Sequence, residues 1–266
     1  ATERAQARLA CQNGLACQNG LARQNERARA AYEKGCEYLN TGALYEAVDN
    51  LYRSLSYKED EKTLAKLGQA FLLDKNYKLA LANYERAYEL LCKKSSLGSF
   101  ANSDSVERKH LLLMVVSTAI DSHSFLKAAT HIKELQEVEP QLATECRLRL
   151  LNERGCLALQ NKNFAAAYNS FKRVLKLSPS NERANTGCRQ ALSALAAATD
   201  GQQNSQQNPY RKLLILLRLY DFDATKQRAL QIDEAYKKAG SPAKFRMKVQ
   251  SIGKRHAQAE ADISMD

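Results

Sequence analysis

Residues Leu67–Ala87 read LGQAFLLDKNYKLALANYERA. Gly68 and Ala80 stand twelve positions apart, and Phe71 and Tyr84 thirteen. Ala80, Tyr84 and Ala87 then step by four and three, the spacing of one helix face. The stretch predicts an amphipathic helical hairpin. Whether it stands alone or repeats decides the fold.

It repeats. In AAYEKGCEYLNTGALYEAVDNLYRSL, Gly35 and Ala47 are again twelve apart, and Gly68 follows Gly35 by 33. Ala31, Gly35 and Tyr38, then Tyr45, Ala47, Val48, Leu51 and Leu55, fit a period of 3.6 and are expected inward, with a break at Thr41-Gly42. The frame returns in LLNERGCLALQNKNFAAAYNSFKRVLKLSP, where Gly155 and Ala167 precede Phe171 and Pro179. A poorer copy lies between, through Val116, Ala128, Ile132, Leu135 and Pro140. Units in the low thirties built as helix-turn-helix predict an array, because one hairpin cannot bury its apolar face alone.

With these residues in view, the chain resembles the tetratricopeptide repeat family. Gly68, Phe71, Ala80, Tyr84 and Ala87 match its small and aromatic positions, with Cys92 where its proline belongs. Gly155, Ala167, Phe171 and Pro179 match the last full unit, and Gly35, Tyr38 and Ala47 the first. The resemblance covers Arg27–Ser180 and implies an all-α, right-handed superhelix of about four hairpins with a terminal capping helix and extra C-terminal helices. Small residues let two helices cross closely, and aromatics fill the wider gaps. There are departures: no Trp occurs, a polar insertion occupies 93–107, and five extra residues, Gln141–Glu145, precede the fourth unit.

The expected organisation is a helix-prone extension at 1–26, the array at 27–199, a linker at 200–209 and a basic helical segment at 210–266. The extension carries hexads, LACQNG twice and then LARQNE, whose apolar residues cannot hold one helical stripe. Two Asn-Gly pairs weaken it further, and docking on its neighbour is one expectation. Asn181–Ala198 reads as a capping helix with Leu192 and Leu195 inward. GQQNSQQNP is the linker. Beyond it YRKLLILLRLY is a short apolar helix that packs back on the array or into a partner. Asp223 is expected to cap the next helix, Gly240 to end it, and Ser241-Pro242 to open the last one as N-cap and first helical residue. On that last helix Phe245, Val249 and Ile252 share one face.

Composition narrows the function. Lys and Arg total 40 against 29 Asp and Glu, a net charge of +11 that favours an acidic partner: nucleic acid, an anionic membrane or an acidic protein surface. Residues 209–256 hold 12 Lys and Arg against 4 Asp and Glu, so +8 of that +11 lies there. The seven cysteines are odd in number and form no CxxC, which reads as reduced thiols in the cytoplasm or another reducing intracellular compartment, not a secreted protein. The longest apolar run, Leu111–Val116, is six residues, far short of a transmembrane helix. No phosphate-binding loop, dinucleotide fingerprint, nucleophile elbow or zinc motif is present, and none of the four His has metal spacing. No enzyme activity, cofactor or metal is expected.

The resemblance places the first helix of each unit along a concave groove. By helical position that groove is lined by Arg29, Tyr32, Cys36, Lys62, Lys66, Gln69, His110, Leu113, Ser117, Arg149, Asn152 and Cys156. This mixed, net-basic surface suits an acidic or extended peptide or helix of another protein. Members that grip acidic chaperone tails carry Lys, Asn and Arg at set places, which here hold Tyr32, Cys36, Lys66, His110 and Met114, so that carboxylate clamp is not matched. A basic C-terminal surface is expected from Arg211, Lys212, Arg218, Lys244, Arg246, Lys248, Lys254 and Arg255, for RNA, a tubulin-like acidic lattice or acidic lipid. The expected role is a scaffold or adaptor within a larger assembly, with a ribonucleoprotein subunit and a cytoskeletal or ciliary protein as alternatives.

Overall fold

A computed structural model of the protein describes the backbone of residues 2–96, 102–201, 209–222 and 224–263, and the side chains of 18, 20–94, 106–198, 211–222, 224–225 and 227–255. Twelve helices and no strand occur among these residues. Their contacts divide the chain into one unit through Arg147 and a second from Leu148.

The first unit holds α1 (Thr2–Thr41), α2 (Leu44–Tyr57), α3 (Glu61–Leu73), α4 (Tyr77–Ser96), α5 (Asn102–Asp121), α6 (Phe125–Val138) and the start of α7 (Pro140–Gln160). Each helix from α1 to α5 packs on the next, and α1 also touches α3. The all-α hairpin array is the fold. The crossing inside each hairpin follows one rule. A Cβ placed on Gly35 would lie 2.8 Å from Leu51 Cγ, and one on Gly68 2.8 Å from Tyr84 Cε1. The large residue, sixteen positions on, fills the space the glycine leaves. In the degenerate hairpin Val116 and Ile132 hold these two places, and both are buried.

The turns repeat as faithfully. Gly42, Lys75, His123 and Lys162 occupy the same turn position, all in the left-handed region at φ between 57° and 79°. Each closes its helix with paired bonds: Lys75 N–H reaches the Leu72 carbonyl at 3.1 Å and Asn76 N–H the Phe71 carbonyl at 2.8 Å. His123–Ser124 and Lys162–Asn163 do the same. These closures satisfy carbonyls that a helix end leaves orphaned. The next residue then caps the second helix where it can, as Asn163 Oδ1 accepts from Ala166 N–H at 3.2 Å.

The second unit continues from α7 into α8 (Phe164–Leu177), α9 (Glu182–Gly201), α10 (Pro209–Tyr220), α11 (Lys226–Lys238) and α12 (Ala243–Ile263). Here the glycine rule doubles. A Cβ on Gly155 would stand 2.6 Å from Phe171 Cε1, and one on Gly187 2.5 Å from Phe171 Cε2. One ring, 1% exposed, therefore fills the close approaches of both α7 and α9. Each of α8 to α11 packs on its successor. The apolar run of α10 is buried within this unit, with Leu213 and Leu219 fully inaccessible.

Several expectations change. Tyr45 is 85% exposed and Tyr38 sits outside the core, where Leu39 is buried instead. The 3.6 period admits either neighbour, and packing chooses the aliphatic. The Asn-Gly pairs do not break α1, whose backbone is one helix from Thr2. Side chains 18 and 20–27 are exposed, so no docking is seen among them, and burial begins at Ala28. The hexads at 1–17 lie outside the described side chains. The insertion is largely helical at its edges, since α4 runs to Ser96 and α5 starts at Asn102, while 97–101 lie outside the described residues. The five extra residues lengthen α7, which starts at Pro140, a favoured first helical residue. Thr225 caps α11 by accepting from Arg228 N–H at 3.2 Å, and Asp223 lies outside the described residues. Gly240, at φ 72°, ends α11 as expected. Ser241, at φ 51°, completes that closure and is not an N-cap, which needs an extended backbone. Leu192 is buried and Leu195 half-buried, with Ala196 taking the inward place. Most of the linker 200–209 lies outside the described residues.

Candidate functional site: a pocket on the first helices

In the first unit, α1, α3 and α5 surround a pocket of about 630 Å³. Its polar rim comes from residues one helical face apart: Lys62, Lys66 and Gln69 on α3, and Glu107 and His110 on α5, with Tyr32 from α1. Its apolar floor is Leu72, Leu73, Leu111 and Met114. An open, mainly apolar cavity with a few polar groups at its rim is the usual form of a binding site.

The rim is wired internally. Lys66 Nζ donates to Gln69 Oε1 at 3.1 Å. Lys62 Nζ lies 3.7 Å from Glu107 Oε1, spanning α3 to α5. Glu61, also in the wall, accepts from Lys94. Glu107 thus offsets the charge of Lys62, while Lys66 is bonded to an uncharged amide and keeps the rim basic. Burial pushes the Tyr32 phenol up to about 12, helped by a hydrogen bond with Cys36 and the negative charge of Asp60. It remains a neutral hydrogen-bonding group at any physiological pH.

The structure brings together Tyr32, Lys62, Lys66, Gln69 and His110. Arg29 stays outside the pocket, its side chain 81% exposed and its Nε 2.8 Å from Glu33 Oε1. Arg149 and Asn152 belong to the second unit. Asn152 is buried on α7, and its Oδ1 accepts no hydrogen bond from the described residues. On α5 the lining face is Glu107, His110, Leu111 and Met114, not Leu113 and Ser117. That helix has no glycine to fix its rotation. The set of places compared with the chaperone-tail clamp, His110 and Met114, carried the right face.

The eight basic residues of the C-terminal segment do not act alike. Arg218 stacks over the Tyr168 ring at 5.8 Å, and Arg255 over Tyr220 at 5.8 Å. Lys248 Nζ donates to Asp221 Oδ1 at 3.3 Å, and Lys244 lies 5.0 Å from the Phe245 ring centre. Lys212 faces a cavity, whereas Arg211, Arg246 and Lys254 are exposed. Five cysteines are free thiols: Cys146 and Cys188 are buried, Cys36, Cys92 and Cys156 half-buried. Among the described residues no group of three His, Cys, Asp or Glu has the arrangement to hold a metal, and no helix is long and apolar enough to cross a membrane.

Comparison with known proteins matches residues 148–181 to a family model described as tetratricopeptide repeat. The chain resembles the tetratricopeptide repeat family. The matched segment is the α7–α8 hairpin that keeps Gly155, Ala167, Phe171 and Pro179. Among solved structures, a tetratricopeptide repeat protein from Parabacteroides merdae shares 16% identity over 86% of this chain and 80% of that one, with a TM-score of 0.39. PilF of Pseudomonas aeruginosa shares 21% over 85% and 99%, with a TM-score of 0.32. A TPR2AB-domain:pHSP90 complex of yeast Sti1 shares 11% over 90% and 94%, with a TM-score of 0.35. No curated protein matches the chain.

Proposed function

We propose that this protein is a non-enzymatic interaction scaffold, a subunit of a larger assembly. Its first unit takes an extended segment or one helix of another protein into the pocket between α1, α3 and α5. The observation that carries this reading is the joining of an apolar floor, Leu73 and Met114, to a polar rim, Lys66, Gln69 and His110. An apolar anchor of the partner fills the floor, and its backbone or a carboxylate bonds the rim. The Lys62–Glu107 pair crosses the opening and sets the register of charged neighbours.

The test is affinity capture followed by cross-linking, with the full chain, Leu73→Asp and Lys66→Glu. Leu73 is 55% exposed, so its replacement leaves the core intact. A partner whose capture fails with both variants, and whose cross-links reach α3 and α5, supports the groove. A partner retained by both overturns it.

A second reading, association with an RNA-containing particle, rests on α12. From Ala243 to Arg255 it carries Lys244, Arg246, Lys248, Lys254 and Arg255 and no carboxylate. Phosphate contacts from such a face make affinity fall with salt. Nuclease-sensitive, salt-sensitive capture that is lost on Arg246→Glu with Lys254→Glu supports this reading. Capture indifferent to nuclease and to those changes removes it.

A further inference from the structure

The pocket between α1, α3 and α5 joins two chemistries along one helix. Lys66 and Gln69 stand at its rim on α3, and Leu73 lies about 10 Å further along the same helix. Leu111 and Met114 of α5 continue the apolar wall. Leu73 is 55% exposed, so this wall presents apolar surface to solvent.

Among the described residues the rim holds one cation that no carboxylate answers. Lys62 faces Glu107 at 3.7 Å, and Lys94 bonds Glu61. Half-buried Lys66 has the Gln69 amide instead, at 3.1 Å. That bond takes the Gln69 oxygen and leaves its amide N–H groups as donors. An uncompensated ammonium and an amide donor, with His110 across on α5, therefore head an apolar cleft of about 630 Å³.

We infer that this pocket binds a medium-chain fatty acid, its carboxylate at Lys66 and Gln69 and its chain along Leu73, Leu111 and Met114. A half-buried ammonium whose partner is neutral favours an anion, and a carboxylate bonds it more strongly than a neutral oxygen does. A chain laid on the apolar wall removes that surface from water. An alcohol of equal length offers no charge, and a cationic amphiphile brings a like charge to Lys66. The size fits too, since pockets of roughly 300–1,000 Å³ enclose small organic ligands. The inference rests on the reading of this pocket as a binding site and adds a small molecule that competes there with a segment of a partner protein.

The experiment is a titration of the isotope-labelled full chain with decanoate, decanol and decyltrimethylammonium, each below its micelle concentration, followed by amide resonances. Saturating shifts centred on α3 and α5 with decanoate, and weaker binding of the other two, support the site. Lys66→Gln is expected to weaken decanoate about tenfold, the loss of one charge-assisted bond, and to leave decanol unchanged. Octanoate, shorter by two methylenes, is expected to bind about tenfold more weakly than decanoate. Leu73→Asp, at an exposed position, is expected to weaken decanoate and decanol alike, and it keeps the fold even if Lys66→Gln does not. Three amphiphiles that bind alike, shifts that spread over both units or never saturate, or decanoate binding unchanged in Lys66→Gln overturn the inference. Such a result leaves the protein-segment reading standing, because capture and cross-linking test that reading with no amphiphile present.

Discussion

The α5–α6 and α7–α8 hairpins solve the same crossing with different residues. In α7–α8 a glycine meets a phenylalanine, and a second glycine from α9 closes on the same ring. In α5–α6 a buried valine and a buried isoleucine hold the two places. Both crossings are fully buried, so total volume at the contact matters more than which helix supplies it. The family model matches the first solution and not the second. What a sequence comparison sees is the residue type, whereas what the fold needs is the sum.

The largest expected effect separates the two. Phe171→Ala empties a space bordered by both Gly155 and Gly187 and costs about 4 kcal/mol. Ile132→Ala costs about 2–3 kcal/mol, because one contact is lost and its neighbours are smaller. Urea unfolding of the two variants checks the order, and equal losses break the comparison. Overpacking comes next. Gly68→Leu, or Ala80→Leu at the same crossing, costs about 1–3 kcal/mol, since a Cβ on Gly68 already meets the Tyr84 ring. Tyr84→Ala in the Gly68→Leu background recovers part of that loss if size complementarity is the rule, and an additive double mutant denies it.

A smaller effect sharpens the comparison at the turns. His123 in α5–α6 and Lys162 in α7–α8 both bear a left-handed backbone that glycine adopts without strain. His123→Gly and Lys162→Gly are each expected to stabilise by about 0.5–1 kcal/mol, and Gly42→Ala to destabilise by a similar amount. Thermal melts read all three. The smallest effect is electrostatic. Burial drives the Glu61 carboxyl up, but the hydrogen bond from Lys94, a backbone hydrogen bond and the Lys94 and Lys62 charges outweigh it and leave it below the usual carboxylate range. A depressed value stabilises the folded chain above the unfolded value, near about 4.3, and that contribution fades as the pH falls through the lower folded value. Glu61→Gln flattens the acid limb of stability by less than about 1 kcal/mol, because Lys94 is half exposed.

The hairpins were legible because their small and large residues keep fixed offsets. Gly35, Gly68 and Gly155 announced the crossings, and even Val116 fell in register. The turn at Gly42 was legible too, but its equivalents were not. Lys75, His123 and Lys162 adopt the same backbone without the residue that advertises it, because paired helix-end bonds hold them there. The pocket was half legible. Its polar rim on α3 followed from helical phase, while its apolar floor did not, since no spacing singles out Leu72 or Leu111. Asn152 read as groove-lining and is buried, because a 3.6 period does not say how closely the next helix covers a face.

The fixed offset also tells where this chain tolerates a change of length. From first-helix position to its partner the count is sixteen in every hairpin: 35 to 51, 68 to 84, 116 to 132 and 155 to 171. From one hairpin to the next it runs 33, then 48, then 39. The spacing varies between hairpins and stays constant inside each of these four. A single residue gained within a hairpin would rotate the second helix by about 100°, swinging its large side chain out of the crossing. Added length is therefore absorbed at the joints of this protein, while each hairpin behaves as an indivisible block.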